Sequence, residues 1–172
     1  LVSQFHSDDE WGELDYLVID MPPGTGDVAL TLTQKAPLSG AVIVTTSNDL
    51  SLIDARKGLK MFEKVEVPVL GIIENMSYFT PPDLPERKYY IFGEGGGRRT
   101  AEELGVDFLG EIPIDPRIVA GGDAGRPIVV DAPESEAAKG FVDLAGKLAR
   151  KLAVLAEGAP PIADANITWV TS

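Results

Sequence analysis

The sequence predicts an α/β fold: a mostly parallel sheet with helices on both faces. Three observations lead there. Short runs of strand type recur at Tyr16 to Ile19, Gly40 to Thr46, Val69 to Glu74 and Asp107 to Ile112, the second rich in β-branched residues. Each is too short for an ordinary helix and is bounded by turn signals, which favours buried strands. Between them lie segments whose apolar residues recur at helical spacing, so strand and helix alternate. The runs are apolar at successive positions, as strands covered on both faces are.

Size and composition suit one globular domain. The chain has 172 residues, 44% of them hydrophobic and 24% charged. At this length roughly 70% of the unfolded surface is buried on folding, enough for a real core. There is no cysteine, so a disulfide or a thiolate metal site within these residues is excluded. No stretch approaches the ~20 apolar residues of a membrane helix. No basic segment followed by an apolar block opens the chain, so a cytoplasmic protein with no membrane partner is the expectation. The chain starts at Leu1 rather than Met, which suggests a piece of something longer. A net charge of −12 repels a phosphate backbone, so nucleic acid is not expected as a partner. Lys147, Arg150 and Lys151 form the best basic patch, and they read as the solvated face of a helix.

The elements follow in order. His6 is the only histidine, has no catalytic pattern around it, and is given no role. Trp11 is expected against the sheet edge. The first strand, Tyr16 to Ile19, ends in Asp20 and is stopped by Pro22 and Pro23, which lack the N–H a ladder needs. Gly24-Thr25-Gly26 follows, where bare amides can approach a ligand closely. An acid at a strand end with such amides beyond it suits a hydrated Mg²⁺ and a phosphate. The same acid also suits a simple turn cap. Asp27 is placed to cap a helix through about Lys35.

Gly40 to Thr46 is the second strand. Asn48 or Asp49 caps a helix from about Leu50 to Val65, with Leu52, Ile53, Leu59, Phe62 and Val65 as its apolar face. Pro68 blocks further helix, and Val69 to Glu74 is the third strand. Asn75 follows it, either as a turn residue or as an amide that reads the edge of a nucleobase. Ser77 to Tyr90 reads as a loop. Gly93 to Gly97 reads as a flexible turn into a helix from about Arg98 to Leu104, closed by Gly105. Arg98 and Arg99 oppose the dipole at that helix start, which leaves room for an anion or partner contact. Asp107 to Ile112 is the fourth strand, and Pro113-Ile114-Asp115-Pro116 turns out of it. Gly121 to Pro127 is turn-rich. A helix starts at Ser135 or Glu136 and runs to about Glu157, with Phe141, Leu144, Leu148, Leu152 and Leu155 as its stripe. A short edge strand at Ile167 to Val170 is the only element expected in the tail.

Ligands on such folds bind at the carboxyl ends of the strands. Asp20 and Asn75 both fall there.

The string DYLVIDMPPGTGD resembles the Walker B and switch II segment of the Mrp family of P-loop ATPases, relatives of the MinD and ParA proteins. GAVIVTTSNDLSLIDARKGLKMF, VPVLGIIENMSYF, IFGEGGG and LGEIPIDPRIVAGGDAGRPIV resemble the same family in the same order. The resemblance implies a P-loop NTPase-like fold, here partial. It implies that Asp20 holds Mg²⁺ and that Gly24 faces the γ-phosphate, the two forming the catalytic pair. Thr25 belongs to the same phosphate side. Asn75 is implied at the adenine, wrapped by the turn carrying Pro113 and Asp115. ATP is the implied ligand, a homodimer the implied assembly, and iron–sulfur acceptor proteins the implied partners.

Two departures stand out. Many members carry Cys-Pro-x-Cys after the segment matching ENMSYF, where two subunits hold an iron–sulfur cluster. Here Thr80-Pro81-Pro82-Asp83 stands in that place, and neither Thr80 nor Asp83 is a soft ligand. There is also no G-x-x-x-x-G-K-[ST] pattern. Residues 1–158 are therefore expected to be the C-terminal portion of an ATPase domain, with 159–172 as a tail. Alone, this portion is expected to be inactive as an ATPase. Two functions follow: an ATP-binding carrier in iron–sulfur cluster assembly, or a MinD/ParA-like switch that recruits partners without metal cargo.

Overall fold

The computed structural model describes residues 14–21, 31, 33 and 38–158. Its elements are β1 (Ala41–Thr45), α1 (Asp49–Lys64), β2 (Val69–Glu74), α2 (Gly96–Leu104), β3 (Phe108–Glu111), α3 (Pro116–Asp123), α4 (Ile128–Asp131) and α5 (Glu136–Gly158). The strands form a parallel sheet in the order β1-β2-β3. Register sets Thr45 opposite Glu74, and Glu74 opposite Glu111, so the three strands end level.

Alternation along each strand builds a core on either face. Ala41, Ile43 and Ile72 join Ala55, Met61 and Phe62 of α1 and Ala101 of α2. Val42, Ile73 and Leu109 turn the other way, onto Leu144 and Leu148 of α5. The helices thus cover both faces, as the doubly apolar runs predict. Asn48 caps α1, its Oδ1 accepting from Leu50 N at 3.0 Å. Ser135 caps α5, its Oγ accepting from Ala138 N at 3.1 Å.

Several expectations are corrected. Tyr16 to Ile19 is not a strand, and Val18 is 90% exposed. Apolar propensity alone does not make a strand, which needs ladder partners for its N–H and C=O groups. Among the described residues β1 bonds only to β2, so this run has none. In α1, Ile53 is 46% exposed. Leu52, Ala55, Leu59 and Phe62 define the buried face, and Ile53 sits one residue, about 100°, away from it. In α5 the middle of the stripe is covered: Leu144 is buried and Leu148 packs beside it, whereas Phe141 and Leu155 towards the two ends are exposed. The helix outruns the four-residue β3 beneath it.

The stretch expected as turns, Gly121 to Pro127, is helical as far as Asp123, and α4 follows. Asp115 and Pro116 form the start signal of α3. Gly121 is required where the chain turns back: Arg126 N donates to Gly121 O at 2.7 Å, and a Cβ at 121 would meet Arg126 O at 2.4 Å. The Gly93–Gly97 segment is not a loose turn either. Gly96 and Gly97 are buried in the first turn of α2. Trp11, Gly24, Thr25, Asp27, nearly all of the helix expected up to Lys35, and the expected edge strand at Ile167 to Val170 lie outside the described residues; Thr31 and Thr33 are helical.

Candidate functional site

The carboxyl ends of the three strands are tied together by main chain. Asn75 N donates to Thr45 O at 2.7 Å, Ile112 N to Glu74 O at 2.9 Å, and Ser77 N to Ile112 O at 3.0 Å. Asn75 therefore stands between the end of β1 and the end of β3. Met76 follows it with φ of +52°, a left-handed conformation that persists only where neighbours fix it. Asn75 Oδ1 accepts from Met76 N at 2.9 Å, the local contact of a turn residue. Its Nδ2 has no hydrogen-bond partner among the described residues, and the side chain is half-buried. That leaves an oriented donor at the rim of the sheet.

Pro113 is buried beside this turn, and Ile114 N donates to Tyr78 O at 2.7 Å. The segment after Asn75, Ser77 and Tyr78, thus pairs by main chain with Ile112 and Ile114 on either side of Pro113. Asp115 is committed elsewhere. Its Oδ1 accepts from Arg117 N at 2.9 Å and caps α3. The Arg117 guanidinium also grips both carboxylate oxygens, at 2.6 Å for the closest contact. The Arg117 side-chain hydrogen bond, above all, holds the Asp115 carboxyl below its ordinary range.

Asp20 is exposed. Met21, next to it, packs against the core cluster containing Ala41 and Ile43, which anchors Asp20 near the sheet. Among the described residues no group of three or more His, Asp or Glu could hold a metal. A Mg²⁺ bound mainly through phosphates and water needs only one or two carboxylates, a demand that Asp20 fits. Gly24 and Thr25 lie outside the described residues.

Glu74 is the residue that pattern reading passed over. It is fully buried. Its Oε2 accepts from Gly97 N at 2.7 Å and its Oε1 from Ser77 Oγ at 2.5 Å. Ser47 Oγ accepts from Gly96 N at 2.9 Å. The glycine-rich start of α2 therefore already holds a carboxylate and a hydroxyl of its own chain at the dipole's positive end. The available signal was a carboxylate closing an apolar strand, with consecutive glycines downstream. Arg98 and Arg99 are also accounted for within the chain. Arg98 lies over the Phe108 ring at 4.3 Å and 3.8 Å from Glu111. Arg99 Nη1 donates to Glu94 O at 2.8 Å.

The 77–90 segment is braced. Phe79 bridges to both Tyr89 and Ile114. Tyr78 OH donates to Glu136 Oε1 at 2.6 Å, and Lys88 Nζ sits 3.6 Å from the centre of the Tyr78 ring. Burial first, then the Glu136 contact, push the Tyr78 phenol well above its ordinary value. Within this brace Thr80 Oγ1 is buried with no hydrogen-bond partner among the described residues, and Asp83 is exposed. One hidden hydroxyl and one solvated carboxylate do not fit an iron–sulfur cluster.

The family described as ParA, NUBPL iron-transfer P-loop NTPase, matches residues 1–149. An iron-sulfur cluster carrier protein of Synechocystis sp. is 54% identical over 156 residues, covering 91% of this chain and 44% of that protein. The iron-sulfur cluster transfer protein NUBPL of Mus musculus is 49% identical over 143 residues, covering 83% and 44%. The solved structure of a nucleotide-binding protein in complex with ADP from Archaeoglobus fulgidus is 44% identical. It superposes with a TM-score of 0.65 over 73% of this chain and 51% of that one. The cell division ATPase MinD of Pyrococcus furiosus is 25% identical, with a TM-score of 0.54 over 72% and 46%. The chain spans less than half the length of these curated relatives. Among the described residues no helix is long and apolar enough to cross a membrane.

Proposed function

The chain belongs to the ParA-type family of NUBPL iron-transfer P-loop NTPases, and from that premise we propose that it supplies the adenine side and the metal side of an ATP site. The observation that carries this reading is the joining of the strand ends. Asn75, held by Thr45 O, and Pro113, beside Ile112, converge on one rim, where parallel sheets place ligands. Asn75 Nδ2 donates to the adenine edge. The buried Pro113 turn lies against the base. Asp115 serves by capping α3 and holding that turn, rather than by touching the nucleotide with its carboxylate. Asp20 holds Mg²⁺ on the phosphate side, with Gly24 and Thr25 beyond it. The phosphate cradle and its lysine come from a P-loop that these 172 residues lack. Residues 1–158 are thus the C-terminal portion of the ATPase domain.

The cellular role we propose is ATP-dependent carriage or transfer of iron–sulfur clusters to acceptor proteins, by a homodimer in the cytoplasm; the names of the relatives support the carrier part of it. The cluster is cargo, and Thr80 and Asp83 do not hold it. That misfit favours a second reading, a MinD/ParA-like switch that uses ATP to dimerise and recruit a partner. One experiment separates them. The full-length gene product is reconstituted anaerobically with iron and sulfide, then tested for ATP-driven dimerisation. A retained cluster that passes to an apo acceptor supports the carrier. ATP-driven dimerisation without any cluster supports the switch. In either case Asp20→Ala is expected to abolish hydrolysis, and near-normal turnover would remove Asp20 from the mechanism.

A further inference from the structure

We propose that Glu74 is a positioning residue for base recognition, fixing the turn that aims the Asn75 amide at a purine. This rests on the nucleotide reading above. A carboxylate buried at a strand end is costly, and an apolar side chain would fill the space at no such cost. What the carboxylate bonds gives the reason for its presence. Its two oxygens reach two different elements: Oε1 takes Ser77 Oγ, two residues after Asn75, and Oε2 takes Gly97 N on α2. Its main-chain O accepts from Ile112 N, one residue before Pro113. A single residue thus ties the base-reading turn to the adjacent helix and to the Pro113 turn. Met76, with its left-handed φ, lies inside the clamped segment.

The clamp is built to close tolerance from both sides. A Cβ on Gly97 would meet Glu74 Oε2 at 2.9 Å and Glu74 Cβ at 3.1 Å. A Cβ on Gly96 would meet Ser47 O and Leu52 Cδ1, both at 2.9 Å. Two consecutive glycines let the helix start approach the strand end closely enough to bond the carboxylate.

The test is made on the full-length gene product, titrated with ATP, GTP and tripolyphosphate. The nucleotide reading is checked by itself: wild type prefers ATP over GTP, and Asn75→Ala removes the preference. If wild type binds no nucleotide, that reading fails, and this one with it. Given binding, Glu74→Leu is expected to lower ATP affinity about tenfold, the equivalent of one misplaced hydrogen bond, with tripolyphosphate affinity unchanged. Glu74→Gln, which keeps an acceptor for Gly97 N, restores most of the preference. Ser77→Ala and Gly97→Ala disturb the same clamp from its other two ends. They are expected to reduce the ATP-to-GTP ratio, and they decide the matter if Glu74→Leu does not fold. An unchanged ratio in these folded variants, or an equal fall for all three ligands, would overturn the proposal.

Discussion

Substituting Gly97 by Ala sets two effects against each other, and the structure says which wins. In a helix Ala is favoured over Gly by about 1 kcal/mol. At position 97 the new Cβ lands 2.9 Å from Glu74 Oε2 and 3.1 Å from Glu74 Cβ. The second atom is fixed to the β2 backbone, so rotating the side chain relieves only half of the clash. Moving α2 outward lengthens the 2.7 Å bond from Gly97 N to Glu74. Hydrogen bonds to a charged group contribute about 1.5–3 kcal/mol, and overpacking costs about 1–3 kcal/mol. The net expectation is a loss of about 2–3 kcal/mol. Gly122 in α3 is the control, because a Cβ there meets nothing within 4 Å. Gly122→Ala is expected to stabilise by about 0.5–1 kcal/mol. Urea unfolding followed by circular dichroism measures both. Equal effects of the two substitutions, or a stabilised Gly97→Ala, would refute the clamp.

Further outcomes follow from the same geometry. Ile72 is fully buried between α1 and α2, so Ile72→Ala should cost about 2–5 kcal/mol in the same assay. Asp115 has its carboxyl depressed by Arg117, so its stabilising share is complete above the ordinary carboxylate value of about 3.9 and is lost as pH falls through the lower folded value. Asp115→Ala should cost about 1 kcal/mol at neutral pH, and the difference from wild type should shrink in acid-unfolding curves. Tyr78 should resist ionisation well past the ordinary tyrosine value, and its late phase should vanish from the ultraviolet titration of Tyr78→Phe. This chain, reconstituted with iron and sulfide, should retain no cluster absorbance after desalting, since Thr80 and Asp83 are not cluster ligands.

Much of this was legible in the sequence. The runs ending at Thr46, Glu74 and Ile112 gave their strands because each carries apolar residues at successive positions and finds a neighbour in this chain. Asn48 and Gly105 gave helix ends because caps are local. Tyr16 to Ile19 has the same composition as the others, but a strand is a pairwise object and its ladder partner is not visible in composition. Ile53 was misplaced because it sits one residue off the buried face of its helix, and Phe141 and Leu155 because periodicity marks a stripe, not how far the covering element extends. Of the site, Asn75 and Pro113 were readable as residues at strand ends. Glu74 was not, since nothing in the order Gly-Ile-Ile-Glu-Asn says that helix amides from Gly97, 23 residues on, arrive to bond its carboxylate.

The most direct measurement of the central claim is nuclear magnetic resonance of the isotopically labelled full-length gene product, titrated with ADP and Mg²⁺. The largest amide shifts are expected at Thr45, Asn75, Met76, Ile112, Ile114 and Asp115, the joined rim of the sheet. Shifts centred instead on the opposite end of β3, around Asp107 and Lys151, with the Asn75 turn unmoved, would contradict that claim.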